Sequence, residues 1–472
     1  TGSNTVSYIS GGALTLNAAV TTNTGNITMQ STNDMVFSEA ADLATTNGNV
    51  TLSAGDDLTM TMDTFVNVGI GALTVTAGSD LTDDLTVGKL RVTGTQNVTL
   101  TAGGALKDAG NSVPDIIATQ SRLVIRSGAG VAAATGELMD IKVGSLDLIN
   151  TGSGDVNLRQ TGALNIWRAQ QLIPGGGTGN SGSLNLSTIG GDITVMDTGW
   201  GVQSVTGNVN LYAGSGSFRL GLTQTDVATN NLAGGINTAG GSVTITAERN
   251  DIVLADGIRV VGSGAISLRA SDGSVINDVS KVGWLLSNGT GYSAVNPTFN
   301  TGVDWAMLGG HTTLVKVNNV LTGEMRFSDT NPADLARVNF ANNAMLRQAD
   351  GVMLQTLGKV SIQAKDKIGE SISGFTYSPL SLVVDAAQLN IASSERLPAY
   401  VLTLGSTDVI SEGGDSGSRS GNLGVASLSG TQKLSAAVDA GGENITLAAN
   451  SLQIDASVRS SNAELNILTI DP

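Results

Sequence analysis

Three short stretches decide the fold: Val50-Thr-Leu-Ser-Ala54, Leu73-Thr-Val-Thr-Ala77 and Val98-Thr-Leu-Thr-Ala102. Each alternates apolar and small polar residues, the period of a strand with one buried face. Each is followed by Gly, and they start 23 and 25 residues apart. A second apolar strand is expected eight residues after the Ala-Gly-containing first one begins, at Leu58, Leu81 and Leu106. The two-step unit returns as Val243–Ala247 with Ile252, and 23 residues later as Ile266–Ala270 with Val275. A period of 20–25 residues holding two or three short strands is the signature of a β-solenoid, in which no coil buries its apolar stripe alone. Stacking places Val50, Leu73 and Val98 in one internal ladder and Leu52, Val75 and Leu100 in the next. Ala54, Ala77 and Ala102 then sit at a tight corner, and Thr51, Thr74 and Thr99 face outward. Coils spaced about 4.8 Å apart, roughly 20 of them, predict a rod on the order of 100 Å long.

A shorter pattern spreads this reading along the chain: Gly, any residue, apolar, small polar, apolar. Copies begin at Gly12, Gly25, Gly48, Gly71, Gly144, Gly154, Gly162, Gly182, Gly191, Gly207, Gly241, Gly264 and Gly358. Two more end at Ile391 and Leu447. Composition agrees. The 472 residues include 62 Gly, 7 Pro and no Cys, with 3% aromatic and 40% hydrophobic residues. Glycine marks turns, and a core one side chain deep favours aliphatic residues over aromatics. Hydrophobicity is too high for a disordered chain, and no apolar run is long enough for a transmembrane helix. The absence of Cys excludes disulfides, thiolate metal sites and Cys nucleophiles. A single His, His311, argues against multi-His metal sites. Net charge of −16 makes nucleic acid and anionic membranes poor partners.

The stretches Gly48-NVTLSAGDDL (to Leu58) and Asn97-VTLTAGGAL (to Leu106) resemble repeats of filamentous-haemagglutinin-type exoproteins. The resemblance extends over roughly residues 10–110, 140–280 and 358–470. That family comprises large Gram-negative adhesins, many exported by two-partner secretion, and it implies a right-handed parallel β-helix. It also implies a secreted or outer-cell-surface location and an outer-membrane export partner. The family's secretion domain carries NPNL- and NPNG-type motifs, which this sequence lacks, so the chain resembles the shaft. Absence of Cys suits export of an unfolded chain through a pore.

The repeat dissolves between Lys281 and Leu357, giving an expected organisation of shaft (1–280), aromatic-containing extrusion (281–357) and continued shaft (358–472). The extrusion holds Trp284, Tyr292 and Trp305, the candidate contacts for glycans or proteins of a host or neighbouring cell. Within it Asn331 and Pro332 suit the start of a short helix. Leu335 and Val338 share a helical face that Phe340 leaves, so the segment reads as an extrusion. Residues 172–180 and 413–421 read as polar loops.

Candidate chemistry is sparse. Asp56-Asp57 and Asp83-Asp84 are the paired carboxylates that acid–base hydrolysis of acidic polysaccharides requires. They lie about one coil apart without a basic partner, and Asp is common at solenoid turns. Gly177–Gly182 matches G-x-G-x-x-G but leads into a strand, which defeats a phosphate-binding reading. No cofactor, metal site or active site is assigned. Six N-x-S/T sequons occur, at Asn26, Asn49, Asn97, Asn185, Asn288 and Asn444. Five of them follow from the strand consensus itself. The expected function is an adhesive and structural rod that presents binding loops. The alternatives are a self-associating filament subunit and a polysaccharide-degrading enzyme.

Overall fold

The structure is a computed structural model. It describes residues 4–110, 114–172 and 182–221 apart from 135 and 198, then 235–278, the strands Thr312–Leu314 and Met325–Phe327, 353–369, 382–410 apart from 396 and 404, and most of 418–469. The described residues are all β, without a helix, and stack as parallel strands in a β-solenoid of about 14 turns. The chain divides into two compact units, Thr1–Ser215 and Gly216–Pro472.

In the first unit the three deciding stretches pair in parallel and in register. Val50, Leu73 and Val98 stand in one column, Leu52, Val75 and Leu100 in the next, and Ala54, Ala77 and Ala102 beside them. All six aliphatic side chains are fully buried. Each coil carries two further strands. A second column runs Leu14, Met35, Leu58, Leu85 and Leu106, and a third runs Val20, Leu43, Val66, Leu90 and Ile116. One expectation fails here. Leu81 does not start the second strand; it is 68% exposed, and Leu85 takes the buried position. The Asp83 carboxylate accepts the N–H groups of Ser79 (2.9 Å) and Asp80 (2.7 Å), closing a turn that lengthens the corner.

The glycine before each first strand has a steric reason. A Cβ on Gly48 would collide with the carbonyl oxygen of Gly25, and one on Gly71 with that of Gly48. The coils touch backbone to backbone there, so only hydrogen fits.

The short repeat changes column along the chain, which its sequence does not reveal. The copy at Gly154 places Val156 above Val131 and Leu106, in the second column. The copies at Gly182 and Gly207 follow it, with Leu184 and Val209 stacked on Val156. The shift follows from the 12-residue strands Ile116–Ser127 and Met139–Asn150, each of which runs through a corner and pairs along its length. Gln160 pairs with Ile141, and its side chain carries the ladder on to Val143. The Gln160 amide oxygen accepts Val143 N–H (3.1 Å), and its Nε2 donates to Val143 O (3.0 Å).

The second unit repeats the architecture. Val243, Ile266, Val360 and Leu389 stack in one column, and Leu423, Ile445 and Leu465 in another. Strand 266–270 pairs directly with strand 359–364, and Val275 bridges Ile368. The chain between 279 and 352 therefore departs and rejoins between two adjacent coils, which accounts for the repeat dissolving there. That insertion and the other long connections are why the solenoid has about 14 turns and not 20. The strands Thr312–Leu314 and Met325–Phe327 pair antiparallel. The helix expected near 331–351 lies outside the described residues. Loop 172–180 lies almost wholly outside them, and 413–421 does so except for Ser418–Arg419, a strand paired with Val438–Asp439.

Candidate functional site

The sequence-assigned contact residues Trp284, Tyr292 and Trp305 lie outside the described residues, as does His311. The Asp57, Asp83 and Asp84 carboxylates have structural partners. Asp34 Oδ1 accepts Asp57 N–H (3.2 Å), Asp57 Oδ1 accepts Asp84 N–H (2.7 Å), and Asp84 Oδ1 accepts Ala105 N–H (2.8 Å). Asp84 also pairs with Lys107. The residue before a strand thus caps the backbone of the next coil. Asn26 caps Asn49 N–H (2.9 Å), Asn49 caps Ala72 N–H (2.8 Å), and in the second unit Asp251 caps Ser274 N–H (2.7 Å). A carboxylate serves these N–H groups as a charge-assisted acceptor, which gives part of the acidic composition a structural origin. Three sequon asparagines, Asn26, Asn49 and Asn444, use their amide oxygen this way. A fourth, Asn185, sits in an amide ladder between Asn157 (2.8 Å) and Asn210 (2.7 Å).

A different constellation forms on the outer surface of the first unit. Strand Leu164–Gln171 reads Leu-Asn-Ile-Trp-Arg-Ala-Gln-Gln. Strict alternation would point Trp167 outward and Arg168 into the aliphatic core, where an unpaired charge is costly. The strand resolves this with a β-bulge. Leu146 pairs with Ile166, but its neighbour Asp147 pairs with Arg168, so Trp167 is the extra residue. Trp167 and Arg168 both face outward and are partly exposed, and Ala169 is buried.

One coil on, Ile193–Val195 pairs with Leu164–Ile166, and Gly201–Gln203 pairs with Arg168–Gln170. The chain between them must loop past the bulge. Trp200 N–H donates to Trp167 O (2.7 Å), and a Cβ on Gly199 would strike that same oxygen. Gly201 follows at φ 73°, a left-handed conformation that favours Gly. This turn brings the Trp200 ring against Trp167, edge to face, with centroids 6.4 Å apart and planes at 78°.

Two guanidinium groups lie over the Trp167 ring, that of Arg122 at 4.4 Å and that of Arg168 at 5.2 Å. Arg168 is committed elsewhere. It forms a bidentate pair with Asp147, Nε to Oδ1 at 2.7 Å and Nη2 to Oδ2 at 3.0 Å. Arg126 adds a third contact to Asp147 at 3.1 Å. Burial alone would raise the pKa of Asp147, which is 5% exposed. The hydrogen bonds and charges of Arg168 and Arg126 outweigh burial and hold it below the ordinary carboxylate value. Arg122 has no carboxylate partner and donates no side-chain hydrogen bond among the described residues. Around Trp167 three arginines thus stand near Asp147, with exposed Asp197 on the turn that carries Trp200, on a chain of net charge −16. On the same strand as Trp167, Gln170 Nε2 donates to Gln203 Oε1 (2.9 Å).

The arrangement offers an aromatic edge and a guanidinium with unused donors, with Trp167 and Arg122 on paired strands and Trp200 on the turn tied to Trp167 O. Sequence reasoning passed over Trp167 and Trp200 because they are 33 positions apart and lie inside the repeat. The available signal was the Trp-Arg pair itself, since two consecutive outward residues in an alternating strand require a bulge. No protein-family model, no curated protein and no solved structure matches the chain.

Proposed function

We propose that this chain is a structural and adhesive segment of a bacterial surface exoprotein, exported across the outer membrane, which attaches to glycans or proteins of another cell. The observation that carries the reading is the Trp167–Trp200–Arg122 surface. Indole rings left partly exposed on a stacked β scaffold suit the apolar faces of sugar rings, and the strand under Trp167 with the Trp200 N–H to Trp167 O bond lowers the ordering cost at binding. The solenoid itself supports the structural half of the reading, because its aliphatic columns spread stability over many coils. Three of the four carboxylates weighed for catalysis, Asp57, Asp83 and Asp84, cap backbone groups, which favours binding over turnover.

The test compares the full chain with Trp167→Ala/Trp200→Ala on a glycan array and in attachment to cultured cells. Loss of binding with retained β-sheet circular dichroism is the expected result. A double variant that attaches as well as the native chain would sink the reading for this surface. Deletion of 281–357 separates it from the extrusion carrying Trp284, Tyr292 and Trp305. Binding that survives the deletion assigns contact to the Trp167 surface.

A further inference from the structure

We infer that the Trp167 surface recognises a carboxylated sugar, with Arg122 as the anion-binding residue and Trp167 as the residue that positions it. The inference rests on the adhesive reading and gives its ligand a charge.

Three observations support it. First, the Arg122 guanidinium lies over the Trp167 ring, 4.4 Å from its centre. A cation–π contact pairs the guanidinium with a ring and with no oxygen acceptor, so the N–H fork that matches a carboxylate in a bidentate pair is not used by it. Second, those donors have no protein acceptor among the described residues, whereas the neighbouring Arg168 and Arg126 have Asp147. Arg122 is partly exposed and stands beside Ser145 on the next strand. Third, Trp200 lies 6.4 Å from the same Trp167 ring and is partly exposed. An indole surface and a free guanidinium thus flank one ring. A uronate residue offers one carboxylate and one C–H face, which these two groups complement.

Charge selects among anions. Arg122, Arg126 and Arg168 outnumber Asp147 and the exposed Asp197 of the Trp200 turn, and this local excess of positive charge draws in a carboxylate. The surrounding chain, at −16, repels a dense polyanion such as nucleic acid. A short uronate oligomer, with one carboxylate on each hydroxyl-rich, apolar-faced ring and few charges in all, meets both conditions.

The test titrates the full chain by calorimetry at about 0.15 M salt, where surface charges are screened beyond about 8 Å. The probes are an oligogalacturonate, the same oligomer with its carboxyl groups reduced, and a sulfated dextran. The oligogalacturonate is expected to bind at least about tenfold more tightly than the reduced oligomer. Arg122→Lys, which keeps the charge and loses the fork, is expected to weaken it about tenfold while leaving the reduced oligomer unaffected. Trp167→Leu should weaken it similarly with Arg122 in place. Equal affinity for the native and reduced oligomers overturns the anion claim and leaves the adhesive reading standing. Tight binding of the sulfated chain alone overturns the carboxylate assignment. No binding of any probe overturns the inference, and a Trp167→Ala/Trp200→Ala variant with undiminished cell attachment then removes the adhesive reading as well. Should Arg122→Lys lose its circular dichroism, the native-against-reduced comparison still decides.

Discussion

Asp115 is a buried acid whose replacement should make the protein more stable near neutral pH. It is fully buried, and its backbone is fixed by Leu90 N–H to Asp115 O (2.7 Å) and Asp115 N–H to Asp140 O (2.8 Å). Its Oδ2 accepts Asp140 N–H at 2.9 Å, while Oδ1 has no donor. Burial and the adjacent Asp108 carboxylate push its pKa from 3.8 up to about 8; the Asp140 N–H opposes the rise. Between about pH 4 and pH 8 the folded chain therefore holds a proton that the unfolded chain has released. Stability must fall as pH rises through that window and level off above it. Each pH unit spent inside the window costs about 1.4 kcal/mol, so the loss at pH 7 is on the order of 4 kcal/mol, a ceiling that local relaxation reduces. Asp115→Asn keeps the acceptor for Asp140 N–H and places an amide donor toward Asp108, without a charge to bury. The variant and native chains should be nearly equal at pH 4. The variant should then gain steadily to pH 8. Coils in a solenoid open locally, so the assay is hydrogen exchange of peptides spanning 114–118 and 139–143, with urea midpoints alongside. Parallel pH curves for the two chains, or an Asn variant less protected at pH 7, would show that Asp115 is ionised and refute the reasoning.

Leu52→Asp should cost several kcal/mol and open exchange in its own and adjacent coils, because Leu52 is fully buried between Met29 and Val75, whereas Thr74→Asp faces outward and should change stability by under about 1 kcal/mol; equal thermal shifts would refute the register. Gly71→Ala should destabilise the stack, since its Cβ would strike Gly48 O, and Gly12→Ala, with open space around it, should be neutral by the same melting assay. Asp147→Asn should lower stability at pH 7. Its depressed pKa contributes stability that is present above the ordinary carboxylate value and lost as pH falls through the lower folded value, so the difference from the native chain should shrink in acid; a gap that is constant with pH refutes the ionised pair. Replacing 283–350 by a short Gly-Ser linker should leave exchange protection of 266–270 and 359–364 intact, because those strands pair directly; loss of that protection would show that the segment supports the stack.

Much of the fold was legible in three early repeats. The alternation of Val50-Thr-Leu, Leu73-Thr-Val and Val98-Thr-Leu fixes which side chains are buried, and the near-constant spacing fixes which coils align, since strands stack only in matching register. The glycines and the Asn or Asp before each strand were visible as turn residues, but their partners were not. A side-chain oxygen that caps a backbone N–H 23 residues on is a contact between coils, not a local motif. Leu81 was misplaced for a local reason, because four extra residues are absorbed by the turn that Asp83 closes.

The candidate site was less legible, because proximity across coils depends on the sum of every loop length between them. The sequence alone determined a stack of short parallel strands with an aliphatic interior and an acidic surface, through local period and composition. The tertiary structure alone decided which column each repeat occupies, that Trp167 is a bulge, and that Trp200 and Arg122 meet it. Those outcomes depend on corners and insertions, where one added residue moves a side chain from core to surface.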